Sequence, residues 1–234
     1  MKKVVISVGG SVLVPSLESH QLKEWASTLK ELAQDYHLFC VCGGGGEARR
    51  YISVCRDIGL DEATSDELGI MVTRINAFLL IAALGDSAYP TVATSYREAK
   101  EAALHGRIVV MGGITPGQTT DAVSAVLAEE VAADLLINAT AVDAIYSADP
   151  KKDPNAERFS LITPSDLIGI IMKERMGAGS NMIVDLVAAK IVERSGIPFA
   201  VMDGRRPENI IAALRTGEFH GTLVAGQSGE VLPL

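Results

Sequence analysis

Aromatic residues are scarce: five Tyr, five Phe and one Trp, 5% of 234 residues. Cysteine and histidine are scarcer still, at three and four. There is no G-x-x-x-x-G-K-[ST] string, and no G-x-G-x-x-G opens a helix after the first strand. A Walker A loop and a dinucleotide fingerprint are thereby excluded. Basic charge is also in deficit. The 21 Lys plus Arg face 29 Asp plus Glu, which gives a net charge of −8 and a pI near 5.0. Such a chain repels a polyphosphate backbone, so nucleic acid is not an expected partner. Apolar stretches such as "AFLLIAALG" are too short to span a bilayer, so no membrane is expected either. "MKK" leads into apolar-leaning residues and then glycines, without the pattern of a signal peptide. Low-complexity tracts and fixed-period repeats are absent.

The cysteines, Cys40, Cys42 and Cys55, are odd in number and crowded together. Cys40 and Cys42 point the same way on one apolar strand, "HLFCVC". No histidine or second cysteine pair stands at ligand spacing, so they read as small buried hydrophobes rather than a metal or redox pair. A soluble, reducing, cytoplasmic setting is expected.

Apolar residues make up 48% of the chain, and mean hydropathy is +0.25. Disorder is excluded on that basis. Short β-rich runs alternate with helical spacing: "VVISV" (Val4–Val8), a helix within Glu18–Asp35, "LFCVC" (Leu38–Cys42), then helices over Glu47–Ile58 and Asp66–Leu84. "YPTVA" follows as a strand, Ser95–Leu104 as a helix, Arg107–Met111 as a strand, Thr120–Ala132 as a helix and Asp134–Thr140 as a strand. After the polar loop "SADPKKDPNAER" come helices near Ser165–Lys173 and Met182–Ser195, the strand "PFAVM", a helix over Pro207–Thr216, and closing strands in "GTLVAG" and "EVLPL". This alternation predicts a mainly parallel sheet with helices on both faces, built as one large domain or as two lobes sharing the sheet. Ligands of such sheets sit beyond the carboxyl ends of the strands.

Three of the loops at those ends open on glycine runs: Gly9-Gly10-Ser11, Gly43–Gly46, and Gly112-Gly113 in "GGITPGQTT". Glycine lets the backbone turn sharply and present its N–H groups to an oxyanion. A following helix adds its N-terminal amides. One such loop is equally well a tight turn; three on one sheet edge suggest more than one phosphate. Arg49 and Arg50 fall in the first turns after Gly46, and adjacent helical residues diverge by about 100°, so only one can face a phosphate. Lys151, Lys152 and Lys190 are further cations, each of which singly reads as a solvated surface charge. Asp121 opens a helix after Thr119-Thr120, either as a dipole partner or capping-region residue or to orient a cation in the site. Asp66 stands at the start of the long helix, with the same capping alternative.

The segments "VGGSVLVP", "GGGGEARRY", "DELGIMVTRINA", "MGGITPGQTTDA", "VDAIYSADPKKDP" and "AGSNMIVDLVAAKI" occur in this order. Together they resemble the amino acid kinase superfamily, in its archaeal-type uridylate kinase branch. The resemblance spans nearly the whole chain. It implies a three-layer α/β/α sandwich with a mainly parallel sheet of about eight strands. It implies one domain over residues 1–234, with an N-terminal part for UMP and a C-terminal part for ATP. The implied reaction is γ-phosphoryl transfer from ATP to UMP in pyrimidine biosynthesis, with Mg²⁺ carried by ATP, by a cytoplasmic homo-oligomer, typically a hexamer. Carried over by position, Gly9, Gly10, Ser11, Gly45 and Arg49 would face the ATP phosphates, and Thr140, Tyr146 and Asp149 the ATP nucleoside. Gly44, Asp66 and the loop Ile114, Thr115, Pro116, Gly117, Gln118, Thr119 and Thr120 would hold UMP. Asp121 and Arg49 would be the catalytic pair.

Three positions depart from the family pattern. Ser7 stands where the superfamily often has lysine, Ala141 where asparagine is usual, and Ala144 where glycine is usual. The alternatives are a superfamily kinase with another acceptor, and a non-catalytic nucleotide-binding or oxyanion storage protein of the same fold. Asp66, Thr119, Thr120 and Asp121, in this order, weigh against storage.

Overall fold

The computed structural model describes residues 1–150, 153–175, 184–226 and 231–234. In chain order the elements are β1 (Lys2–Val8), α1 (Gly10–Leu13), α2 (Gln21–Leu32), β2 (Tyr36–Cys42), α3 (Gly45–Asp57), α4 (Glu62–Leu84), α5 (Tyr96–Ala103), β3 (Val109–Met111), α6 (Thr120–Glu130) and β4 (Leu135–Thr140). Then come β5 (Leu161–Ile162), α7 (Pro164–Arg175), α8 (Leu186–Ser195), β6 (Phe199–Asp203), α9 (Glu208–Thr216) and β7 (Gly221–Val224).

The seven strands form one sheet in the order β3-β2-β1-β4-β6-β7-β5. Every pairing is parallel except β6 with β7. The central strands are buried on both faces, as helical cover on both sides requires. Period-two alternation divides the core. Val4, Ile6 and Val8 of β1 pack with Trp25, Leu29, Leu80 and Leu214 from α2, α4 and α9. Val5, on the opposite face, packs with Val123, Leu127, Ala188 and Val192 from α6 and α8. The three-layer sandwich expected from the sequence is the observed fold.

Registers align the carboxyl ends. Val8 pairs with Cys42 and with Ala139, and Thr140 pairs with Asp203. The loops after β1, β2, β4 and β6 therefore emerge side by side on one edge.

Several expectations change. The described residues hold seven strands, not about eight. "YPTVA" forms no strand; only isolated bridges tie Ala88 to Ile108 and Ala93 to Met111. Val231–Leu234 is not a strand either: Leu234 N–H donates to the Leu214 carbonyl at 2.9 Å at the end of α9. The two-residue β5 arises where no strand was read. α4 starts four residues earlier than expected, because Asp61 caps it by accepting from Thr64 N–H at 3.0 Å. Asp66 is therefore interior to α4 and is not its cap. Lys151, Lys152 and residues 178–183 of the "AGSNMIVDLVAAKI" segment lie outside the described residues.

By length and composition alone, α4 matches a membrane-crossing helix. Its buried Val72, Ala77, Leu80 and Leu84 instead make it a core helix against the sheet. Met71, Ile75 and Phe78, one and two turns apart, remain exposed on the opposite side.

Candidate active site

The glycine loops after β1 and β2 interlock. Gly9 N–H donates to the Ala139 carbonyl at 2.9 Å, and Gly43 N–H to the Val8 carbonyl at 2.8 Å. A Cβ on Gly10 would lie 2.2 Å from the Gly45 nitrogen and 2.5 Å from the Gly43 oxygen. Gly45 itself has φ +67°. Both positions thus demand glycine for steric reasons, the alternative that the sequence leaves open for any single loop. From α4, the Asn76 amide donates to the Gly43 carbonyl at 2.8 Å and pins the loop. α3 then begins at Gly45 with no side-chain cap, leaving its first amides directed at the cleft.

A cleft of about 300 Å³ opens between the start of α3, one face of α4 and the loop before α6. Gly44, Gly45, Arg49, Asp66, Gln118, Thr119 and Thr120 line it. Arg50 turns outward and pairs with Glu47 at 2.8 Å, so Arg49 is the arginine that faces the cleft. Asp66 accepts from Gly117 N–H at 2.8 Å, tying the loop to α4. Thr73, two turns further along α4, accepts from Gly113 N–H at 2.7 Å. Ile114 packs against the core beneath α6, and neither it nor Thr115, Pro116 or Gly117 lines the cleft itself. Gly117, at φ +79°, makes the turn that returns the chain to Gln118.

At the floor, Ser7 Oγ donates to Asp121 Oδ1 at 3.0 Å. Burial pushes the Asp121 carboxyl up to about 6, assisted by the charge of Asp185 and opposed by hydrogen bonding from Ser7 and Asn138. Thr119 caps α6 by accepting from Ala122 N–H at 3.1 Å, and its hydroxyl donates to Asp185 at 2.8 Å. Asp185 in turn caps α8. The cap alternative therefore belongs to Thr119, and Asp121 sits in the first turn facing inward.

Beyond β4 and β6 lies a wider basin of about 670 Å³, lined by Asp143, Arg158, Asp203, Arg205, Arg206, Asn209 and His220. Tyr146 borders it, its hydroxyl donating to Asp143 at 3.1 Å. Arg158 pairs with the same carboxylate at 3.2 Å. Thr140 ends β4, and its carbonyl accepts from Gly204 N–H at 2.8 Å. The Asp149 carbonyl accepts from Asp153 N–H at 2.9 Å and turns the loop. Ala144 is fully buried and lies outside the left-handed region, so its methyl is accommodated without strain.

The fold thus brings Gly44, Gly45, Arg49, Asp66, Gln118, Thr119 and Thr120 into one cleft, with Gly10 in contact behind Gly45. Thr140 and Tyr146 sit on the neighbouring side of the same edge. The sequence reading missed Thr73, Asn76, Asn138 and Asp185. The first two follow Asp66 at helical spacing, a signal present in "DELGIMVTRINA". Asn138 and Asp185 carry no local signal.

Interlocked glycine loops, a helix N-terminus and a part-buried carboxylate at the carboxyl edge of a parallel sheet define a phosphate-transfer fold. The amino acid kinase family matches residues 2–203. The chain belongs to that family. Within it, the uridylate kinase of Methanocorpusculum labreanum is 66% identical over 229 residues, 97% of each chain. That of Methanoculleus marisnigri is 60% identical over all of both chains. The crystal structure of uridylate kinase from Archaeoglobus fulgidus superposes with a TM-score of 0.87 at 47% identity, covering 96% of this chain and all of that one.

Proposed function

We infer that this chain is a UMP kinase: it transfers the γ-phosphoryl group of ATP to UMP, yielding UDP and ADP. The observation that carries the inference is the cleft in which α3, the Asp66 face of α4 and the Gln118–Thr120 loop converge, in a chain so similar to uridylate kinases along its whole length.

The acceptor is an ionised phosphate oxygen, so no covalent intermediate and no strong base is required. That oxygen forms the new P–O bond while the bond from γ-phosphorus to the bridging oxygen breaks, and ADP leaves with the electron pair. Catalysis is then positioning plus neutralisation of charge spread over the transferred group. In our reading the N-terminal part holds UMP: Gly44, Asp66, Gln118, Thr119 and Thr120 line the cleft, and Ile114, Thr115, Pro116 and Gly117 form the rest of the loop that carries them. Asp66 both anchors that loop and faces the ribose. The C-terminal part holds the ATP nucleoside through Thr140, Tyr146 and Asp149. Gly9, Gly10, Ser11, Gly45 and Arg49 meet the ATP phosphates between them, and Asp121 orders the polar groups at the floor.

Among the described residues no group of three His, Cys, Asp or Glu is placed to hold a metal. The donor set suits a Mg²⁺ ion that would arrive with ATP and be held chiefly by phosphate oxygens and water. Such an ion supplies charge neutralisation at the phosphates.

A homo-oligomeric, cytoplasmic enzyme is part of the proposal. The support for the oligomer is the set of apolar side chains of α3 and α4, where Tyr51, Val54, Met71, Ile75 and Phe78, with Ile58 just past α3, are each at least half exposed. Contiguous surfaces of this kind mark interfaces.

The test is ADP release from MgATP against UMP, CMP, AMP and isopentenyl phosphate. UMP-dependent release well above that with the others is expected. Equal rates on all four, or none with UMP, would overturn the assignment.

A further inference from the structure

Three polar side chains on one side of α4 reach glycines of two different loops. Asp66 accepts from Gly117 N–H at 2.8 Å and Thr73 from Gly113 N–H at 2.7 Å, both in the loop between β3 and α6. Asn76 reaches the other loop, after β2. Its amide donates to the Gly43 carbonyl at 2.8 Å, and the same nitrogen stands 3.5 Å from the Gly44 carbonyl. Asn76 is 6% exposed and lies among the buried Val72, Ala77 and Leu80 of the same helix. Asparagine is a poor helix former, and its burial opposes folding unless the amide is bonded. An apolar residue would suit the position better on helix and packing grounds alone. The side chain's polarity is therefore explained by the glycine carbonyl it meets. That carbonyl is confined from the other side as well, since a Cβ on Gly10 would lie 2.5 Å from the Gly43 oxygen.

A peptide unit is planar and trans, so its C=O and N–H point in opposite directions. Holding the Gly43 carbonyl toward Asn76 therefore turns the Gly44 N–H away from Asn76. Gly44 lines the cleft, and among the described residues no acceptor meets its N–H. In a run of four glycines no side chain resists rotation of that peptide, so its orientation has to be set from outside the loop. We propose that Asn76 is a positioning residue for the phosphoryl transfer, its amide fixing the Gly43–Gly44 peptide so that the Gly44 N–H faces the phosphate of UMP. The proposal rests on the UMP kinase reading of the site. Asn76 touches no substrate and acts through the backbone of the loop. Because Asp66 and Thr73 hold the opposite loop from the same helix, α4 sets the Gly44 amide and the Gln118–Thr120 segment at a fixed spacing across the cleft. A donor oriented in advance in this way needs no rearrangement during the transfer.

The test uses the full chain, with kcat, KM for ATP, KM for UMP and melting temperature measured on wild type, Asn76→Leu, Asn76→Ser and Leu80→Ala. Asn76→Leu keeps the volume and loses the donor. Its kcat is expected to fall about tenfold or more, with KM for ATP within about twofold and KM for UMP raised by less than kcat falls. Asn76→Ser keeps a hydroxyl donor and leaves room for a bridging water, and its kcat should lie between those of Asn76→Leu and wild type. Leu80→Ala is the structural control. Leu80 is fully buried in α4, one turn beyond Asn76, so its truncation lowers the melting temperature, while kcat assayed well below that temperature should stay within about twofold of wild type. A kcat in Asn76→Leu within about twofold of wild type would overturn the proposal. So would losses of kcat in Asn76→Leu and Leu80→Ala that follow their melting temperatures alike, which marks a structural role. If Asn76→Leu does not fold, a kcat in Asn76→Ser equal to that of wild type overturns it by itself. Wild-type enzyme that releases no ADP with UMP would instead defeat the UMP kinase reading, and the two failures are thereby distinct.

Discussion

Gly10 lies so close to Gly45 that a single added carbon would come within 2.2 Å of the Gly45 nitrogen. The two residues belong to loops after adjacent strands, and the contact is backbone on backbone. A clash of that kind cannot be relieved by a side-chain rotation. Gly10→Ala must therefore push apart the two loops proposed to hold the phosphates. Stability should fall by about 1–3 kcal/mol, seen in a thermal melt, and UMP-dependent ADP release should fall by more than that loss explains. Gly46→Ala is the control. Nothing lies within 4 Å of its added carbon, and it sits inside α3, so its melt should not fall. Equal effects at the two positions would contradict the interlock.

Asp121 trades stability for chemistry. Its folded pKa of about 6 lies above its ordinary 3.8. As pH rises through that window the unfolded chain gives up this proton before the folded chain does, so the carboxyl lowers stability progressively. Asp121→Asn should thus be neutral near pH 4 and should stabilise the unliganded protein by about 2 kcal/mol near pH 8, read by denaturant titration. Turnover should fall far more than UMP affinity. Wild-type kcat should itself decline as pH drops through about 6. A variant destabilised at pH 8 would contradict the cost of burying this carboxylate. One that loses affinity and kcat equally would make Asp121 a binding group rather than an organiser of the transfer.

Asp66 separates the two substrates. Its carboxylate accepts from Gly117 N–H at 2.8 Å, and it lines the cleft assigned to UMP, which Tyr146 does not line. Asp66→Ala should raise KM for UMP by about tenfold or more and leave KM for ATP within about twofold. Equal changes in the two would mean that this cleft does not hold UMP.

The architecture was legible because its signals are local. Alternation of β-rich runs with helical spacing predicted a parallel sheet covered on both faces, and the loops after β1 and β2 fell at the correct edge. The errors were local too. "YPTVA" has strand composition but meets only single bridges beside β3, so no ladder forms. Asp61, not Asp66, caps α4, because its side chain reaches Thr64 N–H at 3.0 Å. Helical spacing left Arg49 and Arg50 as alternatives, and only the family resemblance chose Arg49. In the structure Arg50 pairs with Glu47 and Arg49 lines the cleft.

By itself, the sequence determined the layered α/β fold, the family, and the glycine loops at the carboxyl edge, since each of these is written in residues close together along the chain. The tertiary structure decided which of those glycines are fixed by contact with another loop. It also decided which carboxylate lies at the floor, and that Ser7 and Asn138, 131 positions apart, stand side by side. The physical reason is that steric exclusion, burial and cross-strand pairing act through space. A parallel sheet makes neighbours of residues separated by a whole crossover, and no spacing along the chain records that.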